Sequence, residues 1–371
     1  MPAISNFDII VFDMEDALID HSNSMCAAVS RAIDTYLVSL LGIRPEGGPV
    51  INPHEILEFS RVQGFDKGED VMDALLAAAL NWLPVDMAES DFDDLDGRDL
   101  LLAVSKRPEM AISLGDVAAK KNLAEFNKLL RSRGSGKRGM GRLRGLKNSW
   151  MALCEGHIMM DNFSQRILKE AFLGDKLFMA EHGQQRQFVT DIGAIEMEKP
   201  WISPHDLAYI RKRCPLATIT SRSRTEAQFV LDRLDLRRYL DVVVSRGSMG
   251  MGMEDPEEAR WIRSLGVAET TGADYPTRVT EAIGRIRNQE AMQSIVRVAY
   301  VGNCAIDDRG IARLKERNRL TAIGCAFGQD HKAAAAQKEK GADMVVHDPH
   351  QLSRVLTERP RLRSSYHRRR R

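Results

Sequence analysis

The chain opens with a short apolar run that ends in an acidic residue. Residues 7–13 read FDIIVFD, in which four consecutive apolar side chains precede Asp13. A β-rich run of this length is typical of a strand that is buried in a parallel sheet. Open parallel sheets bind their ligands at the carboxyl ends of their strands. The pattern therefore predicts a first strand that delivers Asp13 to a ligand-binding edge.

From about residue 22 to residue 190 the pattern changes to helical spacing. Apolar residues recur there at intervals of three and four, as they do on one face of an amphipathic helix. The predicted helices cover residues 25–41, 69–82, 150–172 and 176–182. Since no convincing strand interrupts this part of the chain, we expect an all-helical insertion.

Beyond residue 200 short apolar strands alternate with amphipathic stretches, which is typical of βαβ units and a parallel sheet. The predicted strands are 216–220, 242–244, 298–301, 321–326 and 344–346. The insertion separates the first strand from these partners, so the core is expected to be discontinuous. We predict an α/β Rossmann-like core from residues 1–22 and 195–358, and a helical cap domain from residues 23–190 that serves as a lid.

Two basic segments stand apart from these patterns. Residues 131–147 interleave glycine with arginine and lysine, and residues 359–371 end in YHRRRR. Without a hydrophobic period, both are expected to be flexible: the first a loop inside the cap, the second a disordered tail. The main interpretation is solvated chain, and contact with phosphate or nucleic acid is the alternative.

Composition narrows the class of protein. The 371 residues carry 43% hydrophobic and 28% charged side chains, as in a soluble globular protein, and a net charge of +1 does not favour nucleic-acid binding by the whole molecule. The five scattered cysteines favour neither a disulfide framework nor a zinc site. The polar start shows neither a signal peptide nor a membrane anchor. We therefore expect a cytoplasmic protein without a membrane partner.

The first strand and its continuation, VFDMEDALID (residues 11–20), resemble the first motif of the haloacid dehalogenase (HAD) superfamily. The resemblance implies that Asp13 is a nucleophile that attacks phosphorus and forms an aspartyl-phosphate. It implies an acid/base role for the second acid of the motif, where this chain has Glu15 in place of aspartate. For Asp13 alone, a strand-end acid in a turn hydrogen bond is the alternative.

The second motif lies in residues 216–245, whose order of strand, threonine, turn, helix and strand is similar to that of the family. The resemblance implies that Thr220 and Ser221 bind the transferred phosphoryl group, helped by backbone N–H groups where the next helix begins. A threonine in this position is otherwise an ordinary helix cap. The extended match, rather than the single threonine, carries the prediction.

The metal motif resembles VAYVGNCAIDD (residues 298–308), where Gly302 and Asp307 fit and Asn303 replaces the usual aspartate. The resemblance implies a magnesium ion held by Asp13, the Glu15 carbonyl, Asn303 and Asp307. A neutral amide should weaken that binding, since magnesium prefers anionic oxygens. The other reading is a plain turn between a strand and a helix, whose geometry asparagine tolerates well.

The lysine expected in the third motif is missing. The two candidate registers put Met253 or Ala273 in its place. Arg246 or Arg278 is a possible source of positive charge, and Lys199 or a cap lysine is another. Guanidinium and ammonium groups are not interchangeable at a crowded phosphate, so this motif departs from the family pattern.

The cap resembles the small cap of the subfamily that includes phosphoglycolate phosphatases. By this resemblance the chain is a magnesium-dependent phosphomonoester phosphatase with impaired activity, acting on a small phosphorylated metabolite. The alternative from another class is an inactive HAD pseudoenzyme that serves as a binding or interaction module for a protein partner. The sequence does not name the substrate.

Overall fold

The structure is a computed structural model that describes residues 7–63, 65, 67–87, 97–136, 139, 143, 146–152, 162–246, 267–270, 275–292, 296–303, 312, 314, 315, 319–327 and 331–357. The chain divides into two compact units. The sheet unit comprises Met1–Asp20 and Lys199–Arg371, and the helical unit comprises His21–Glu198. The sequence predicts the first boundary between these units after residue 22 and the second between residues 190 and 195.

In chain order, the sheet unit begins with β1 (Ile9–Asp13), a π-helical turn (Met14–Leu18) and β2 (Ile19–Asp20). The helical unit then contains seven α-helices: α1 (Ser22–Leu41), α2 (Pro53–Gln63), α3 (Gly68–Asn81), α4 (Gly97–Ser105), α5 (Leu114–Ala119), α6 (Leu123–Ser132) and α7 (Phe163–His182), counted over the described residues. It also has 3₁₀ turns at Pro108–Met110, Ser149–Ala152 and Ala194–Met197.

The chain returns to the sheet unit at β3 (Lys199–Pro200), which pairs antiparallel with β2. The remaining elements are α8 (Pro204–Arg211), β4 (Leu216–Ser223), α9 (Arg224–Arg233), a 3₁₀ turn (Arg237–Tyr239), β5 (Val242–Arg246), β6 (Val267–Thr270), α10 (Tyr275–Gln289), β7 (Arg297–Gly302), β8 (Arg319–Cys325), α11 (His331–Glu339), β9 (Met344–Val346) and α12 (Pro349–Thr357).

Seven strands form one parallel sheet in the order β6-β5-β4-β1-β7-β8-β9. All five residues of β1 are buried, as expected for a central strand covered on both faces. On one face α10 contributes apolar residues with helical spacing (Val279, Ala282, Ile283 and Ile286) to a core shared with β1, β4 and β5. The predicted parallel-sheet α/β class is confirmed.

The helical unit is organised around α1, which packs against α2, α3, α4 and α7. This helix is long and apolar enough to cross a membrane, and 61% of its apolar window is buried inside the protein. It ends where Gly42 adopts a left-handed conformation, with φ of 68°. Burial of this kind suits the core helix of a folded unit.

Several boundary predictions were wrong. The predicted helix 150–172 begins only at Phe163, because Asn162 caps the amino end of α7 and its side chain accepts from Gln165 N. Segment 131–147 is not loop throughout, since α6 runs to Ser132 and Leu143 is buried. Residues 137, 138, 140–142, 144 and 145 and the basic tail lie outside the described residues.

Candidate active site

The carboxyl ends of β4, β1 and β7 bring the predicted site residues to one edge of the sheet. Asp13 is in register with Ile219, so Thr220 comes one residue beyond it on β4. On the other side Phe12 is in register with Val301, and Asn303 follows the end of β7. Because these three strands are neighbours and parallel, their carboxyl ends present Asp13, Thr220 and Asn303 together.

Asp13 is buried at this edge, with 2% of its surface exposed. Its Oδ1 accepts a hydrogen bond of 3.3 Å from the backbone N–H of Glu15, and Asp13 thereby caps the π-helical turn that follows β1. A single π turn is a rare local structure that is frequent at functional sites. The predicted nucleophile thus caps the turn that contains Glu15, the predicted acid/base residue.

Gly302 explains how β7 approaches Asp13 so closely. A Cβ atom on Gly302 would lie 2.5 Å from Asp13 Cβ and 2.7 Å from Tyr300 Oη. Real Cβ atoms essentially never come that near another atom, so the site requires glycine at this position. The glycine that the sequence pattern singled out is therefore needed for packing against the candidate nucleophile.

Glu15 is bound to two side chains of β4. Its Oε1 accepts hydrogen bonds from Thr220 Oγ1 and from Arg222 Nε, the latter at 2.9 Å. Thr220 is fully buried, and the Arg222 side chain is 7% exposed. The Thr220 hydroxyl also accepts from the Arg222 backbone N–H at 3.0 Å. The residue predicted for acid/base chemistry is therefore joined to the one predicted to bind phosphate by one compact network.

Arg222 was missed by the sequence analysis, although a signal was present. Residues i and i+2 of a strand point to the same face, so a strand extending past Thr220 would place Arg222 beside it. The predicted strand stopped at residue 220, whereas β4 continues to Ser223 after a register shift beyond Ile219. Ser221 lies within this irregular stretch and is exposed.

A second arginine, Arg278 of α10, reaches the same strand. Its Nη1 donates to the backbone carbonyl of Thr220 at 2.9 Å, and the residue is 8% exposed. Of the other cations considered, Arg246 ends β5 and is half-buried, while Lys199 is exposed in β3, paired in register with Asp20. The cations found at the site within the described residues are arginines.

The predicted metal ligands are described only in part. Asn303 is half-buried directly after β7, and Asp307 lies outside the described residues. Both candidate lysine positions, Met253 and Ala273, lie outside them as well. In the part of the chain that the structure describes, no group of three or more His, Cys, Asp or Glu side chains is arranged to hold a metal ion.

No protein-family model matches the sequence, and no curated protein matches it. Among solved structures, the chain is similar to the crystal structure of a Northeast Structural Genomics Consortium target. The two share 16% identity at a TM-score of 0.60, over 94% of this chain and 98% of that one.

Two further solved structures are similar at TM-scores below 0.5. They are phosphatase Tt82 from Thermococcus thioreducens (14% identity, TM-score 0.42) and L-2-haloacid dehalogenase from Xanthobacter autotrophicus (12% identity, TM-score 0.36). Each match covers 94% of this chain and 98% of the other chain. Likeness at such identities concerns the fold and not the activity.

The first strand ends in Asp13 at the centre of a parallel sheet, and the helical unit is inserted after that strand, as the motifs predicted. We conclude that the predicted fold is confirmed: an α/β Rossmann-like core with a parallel sheet, and an inserted helical unit.

Proposed function

We propose that this chain is a hydrolase of low activity that acts on small phosphomonoesters. Asp13 is the nucleophile: a carboxylate oxygen bonds to phosphorus while the ester P–O bond breaks, and the alcohol leaves with a proton. Water then cleaves the aspartyl-phosphate and releases inorganic phosphate. The observation that carries the proposal is the placement of a buried carboxylate, the Thr220 hydroxyl and two arginines at one strand edge.

The low activity follows from the position of Glu15. A general acid must donate a proton to the leaving alcohol, and a general base must accept one from water. Glu15 Oε1 instead accepts hydrogen bonds from Thr220 and Arg222. In this arrangement that oxygen holds the local structure together, and proton transfer requires Glu15 to leave it.

Magnesium fits the described donors only in part. The ion prefers several anionic oxygens, and of the two acidic side chains described at the edge, Glu15 is already paired with Arg222. Asp13, the Glu15 carbonyl and Asn303, with Asp307 beyond the described residues, would hold the ion, which would neutralise phosphate charge when bound.

A second candidate function is that of a binding module without catalysis. The pairing of Glu15 with Arg222 supports it, because an acid/base residue used as a structural partner does not assist turnover. Asn303 in place of an aspartate points the same way. On this view the edge of the sheet recognises an anionic ligand or a protein partner and leaves it unchanged.

Turnover of an aryl phosphate by the full-length protein separates the two functions. Hydrolysis by the wild type should rise with added magnesium and fall about a thousandfold or more in Asp13→Asn. Asp8→Asn is the matched control, because it disrupts an arginine–carboxylate pair with Arg297 in the same unit, at the other end of β1. If wild type and Asp13→Asn release phosphate equally slowly, the hydrolase proposal is wrong and the binding module is favoured.

A further inference from the structure

The network around Glu15 has the donor composition of an anion-binding site. A hydroxyl and a guanidinium converge on a single oxygen, Glu15 Oε1. A threonine hydroxyl has one proton to donate, and here Glu15 receives it, since the Thr220 oxygen itself accepts from the backbone of Arg222. Hydroxyl and guanidinium donors of this kind also bind phosphate oxygens, and arginine matches them particularly well.

The occupant of these donors is an anion that belongs to the chain. Glu15 is one methylene longer than an aspartate, and its carboxylate extends from the turn after β1 to Thr220 and Arg222 on β4. Its side chain keeps 17% of its surface exposed, whereas those of Arg222 and Thr220 are almost wholly buried. The Glu15 side chain is therefore the most exposed of the three that form the network.

We propose that Glu15 is an internal occupant of an anion site formed by Thr220 and Arg222, and that a phosphoryl group binds by displacing it. This inference rests on the proposed function, because it describes how Glu15 would regulate phosphate binding at the same site. Because the site is filled in the resting protein, the apparent affinity for a phosphoryl group is reduced by the fraction of time that Glu15 occupies it.

Charge supports the same conclusion. The Glu15 carboxylate pairs with the guanidinium of Arg222 at 2.9 Å. Replacing Glu15 with glutamine adds one net positive charge without changing the size of the side chain. A divalent anion should then bind more tightly, because it no longer competes with a carboxylate for Arg222.

The test is a calorimetric titration of the full-length protein with inorganic phosphate in the presence of a metal chelator. Glu15→Gln should bind phosphate about tenfold to a hundredfold more tightly than wild type, as expected for releasing hydrogen bonds to a charged group. Glu15→Asp, which shortens the side chain, should also bind more tightly. The double variant Glu15→Gln/Arg222→Gln should lose the gain.

Three outcomes would overturn the inference: both Glu15 variants bind phosphate no more tightly than wild type, the gain survives in the double variant, or Asp8→Asn shows the same gain. The last control frees Arg297 from its carboxylate at the opposite end of β1, so an equal gain there means a general charge effect. Since phosphate binding involves no turnover, this result is independent of the Asp13→Asn assay. Loss of one proposal is therefore distinguishable from loss of the other.

Discussion

Glu170 in α7 is the residue whose replacement should destabilise the helical unit most clearly. Its side chain is fully buried, and its carboxylate accepts from four donors: Arg166 Nε at 3.0 Å and the backbone N–H groups of Gln187, Phe188 and Val189 at 2.7 to 3.1 Å. The loop after α7 is thus built around one buried carboxylate, which accepts from three of its backbone N–H groups.

We expect Glu170→Gln to lower the free energy of unfolding by about 3 to 5 kcal/mol, the range for removing one partner of a buried ion pair. The amide cancels the charge opposite Arg166, which is 6% exposed. It also turns an N–H donor toward backbone N–H groups, so that at least one of them loses its acceptor. Both effects act on the same loop, so they are not additive.

The measurement is urea unfolding of wild type and variant followed by circular dichroism, with the midpoint compared at unchanged slope. Asp175→Asn is the matched control. Asp175 also pairs with an arginine of this loop, Arg186 at 2.7 Å, but its side chain is 77% exposed. A pair whose carboxylate lies largely in water contributes little, and Arg186 keeps its hydrogen bonds to the backbone carbonyls of Thr190 and Asp191, so this variant should unfold close to wild type. A Glu170→Gln midpoint indistinguishable from that of the control would refute the reasoning.

Two further predictions concern the sheet edge and the first helix. Gly302→Ala should destabilise the protein by about 1 to 3 kcal/mol and reduce phosphate binding, because the new Cβ would collide with that of Asp13. The control is Gly284→Ala in α10, where the new Cβ would meet open space, so it should be neutral or stabilising. Chemical denaturation measures both. Burial raises the pKa of Asp34 to about 6. The folded protein therefore binds this proton more tightly than the unfolded chain does, and the resulting contribution to the free energy of unfolding is lost as pH rises from about 4 through 6. Asp34→Asn keeps an acceptor for the Val50 N–H and should be more stable than wild type on the order of 1 kcal/mol at pH 8. Equal stability of the two proteins across pH 4 to 8 in thermal melts would contradict this.

Local pattern was sufficient for much of the fold. The predicted strand 344–346 coincides with β9, and α1 and α3 differ from their predicted ranges by at most three residues at either end. The predicted helices 150–172 and 176–182 leave a gap at residues 173–175. This gap corresponds to a break in α7, where Gly174 has a non-helical conformation with φ of 75°. These features depend on contacts between neighbours in sequence, which a hydrophobic period records directly.

Other elements depend on contacts that the pattern does not record. β6 was not predicted, since Val267–Thr270 is a short strand at the edge of the sheet. β4 runs three residues past its predicted end because β5 supplies a partner for Ser223 beyond the register shift. A strand exists where another strand offers hydrogen bonds, and that partner lies elsewhere in the chain.

The sequence by itself determined that Asp13 ends a buried strand and that Thr220 lies on another, since both positions follow from local runs of apolar residues. Only the tertiary structure decided what Glu15 does. Thr220 and Arg222 lie 205 and 207 residues from it in the chain, and they meet it because β1 and β4 are adjacent in the sheet. A side chain forms hydrogen bonds with groups that are close in space. Parallel strands that pair in a sheet are joined by long connections, so residues far apart in sequence become neighbours.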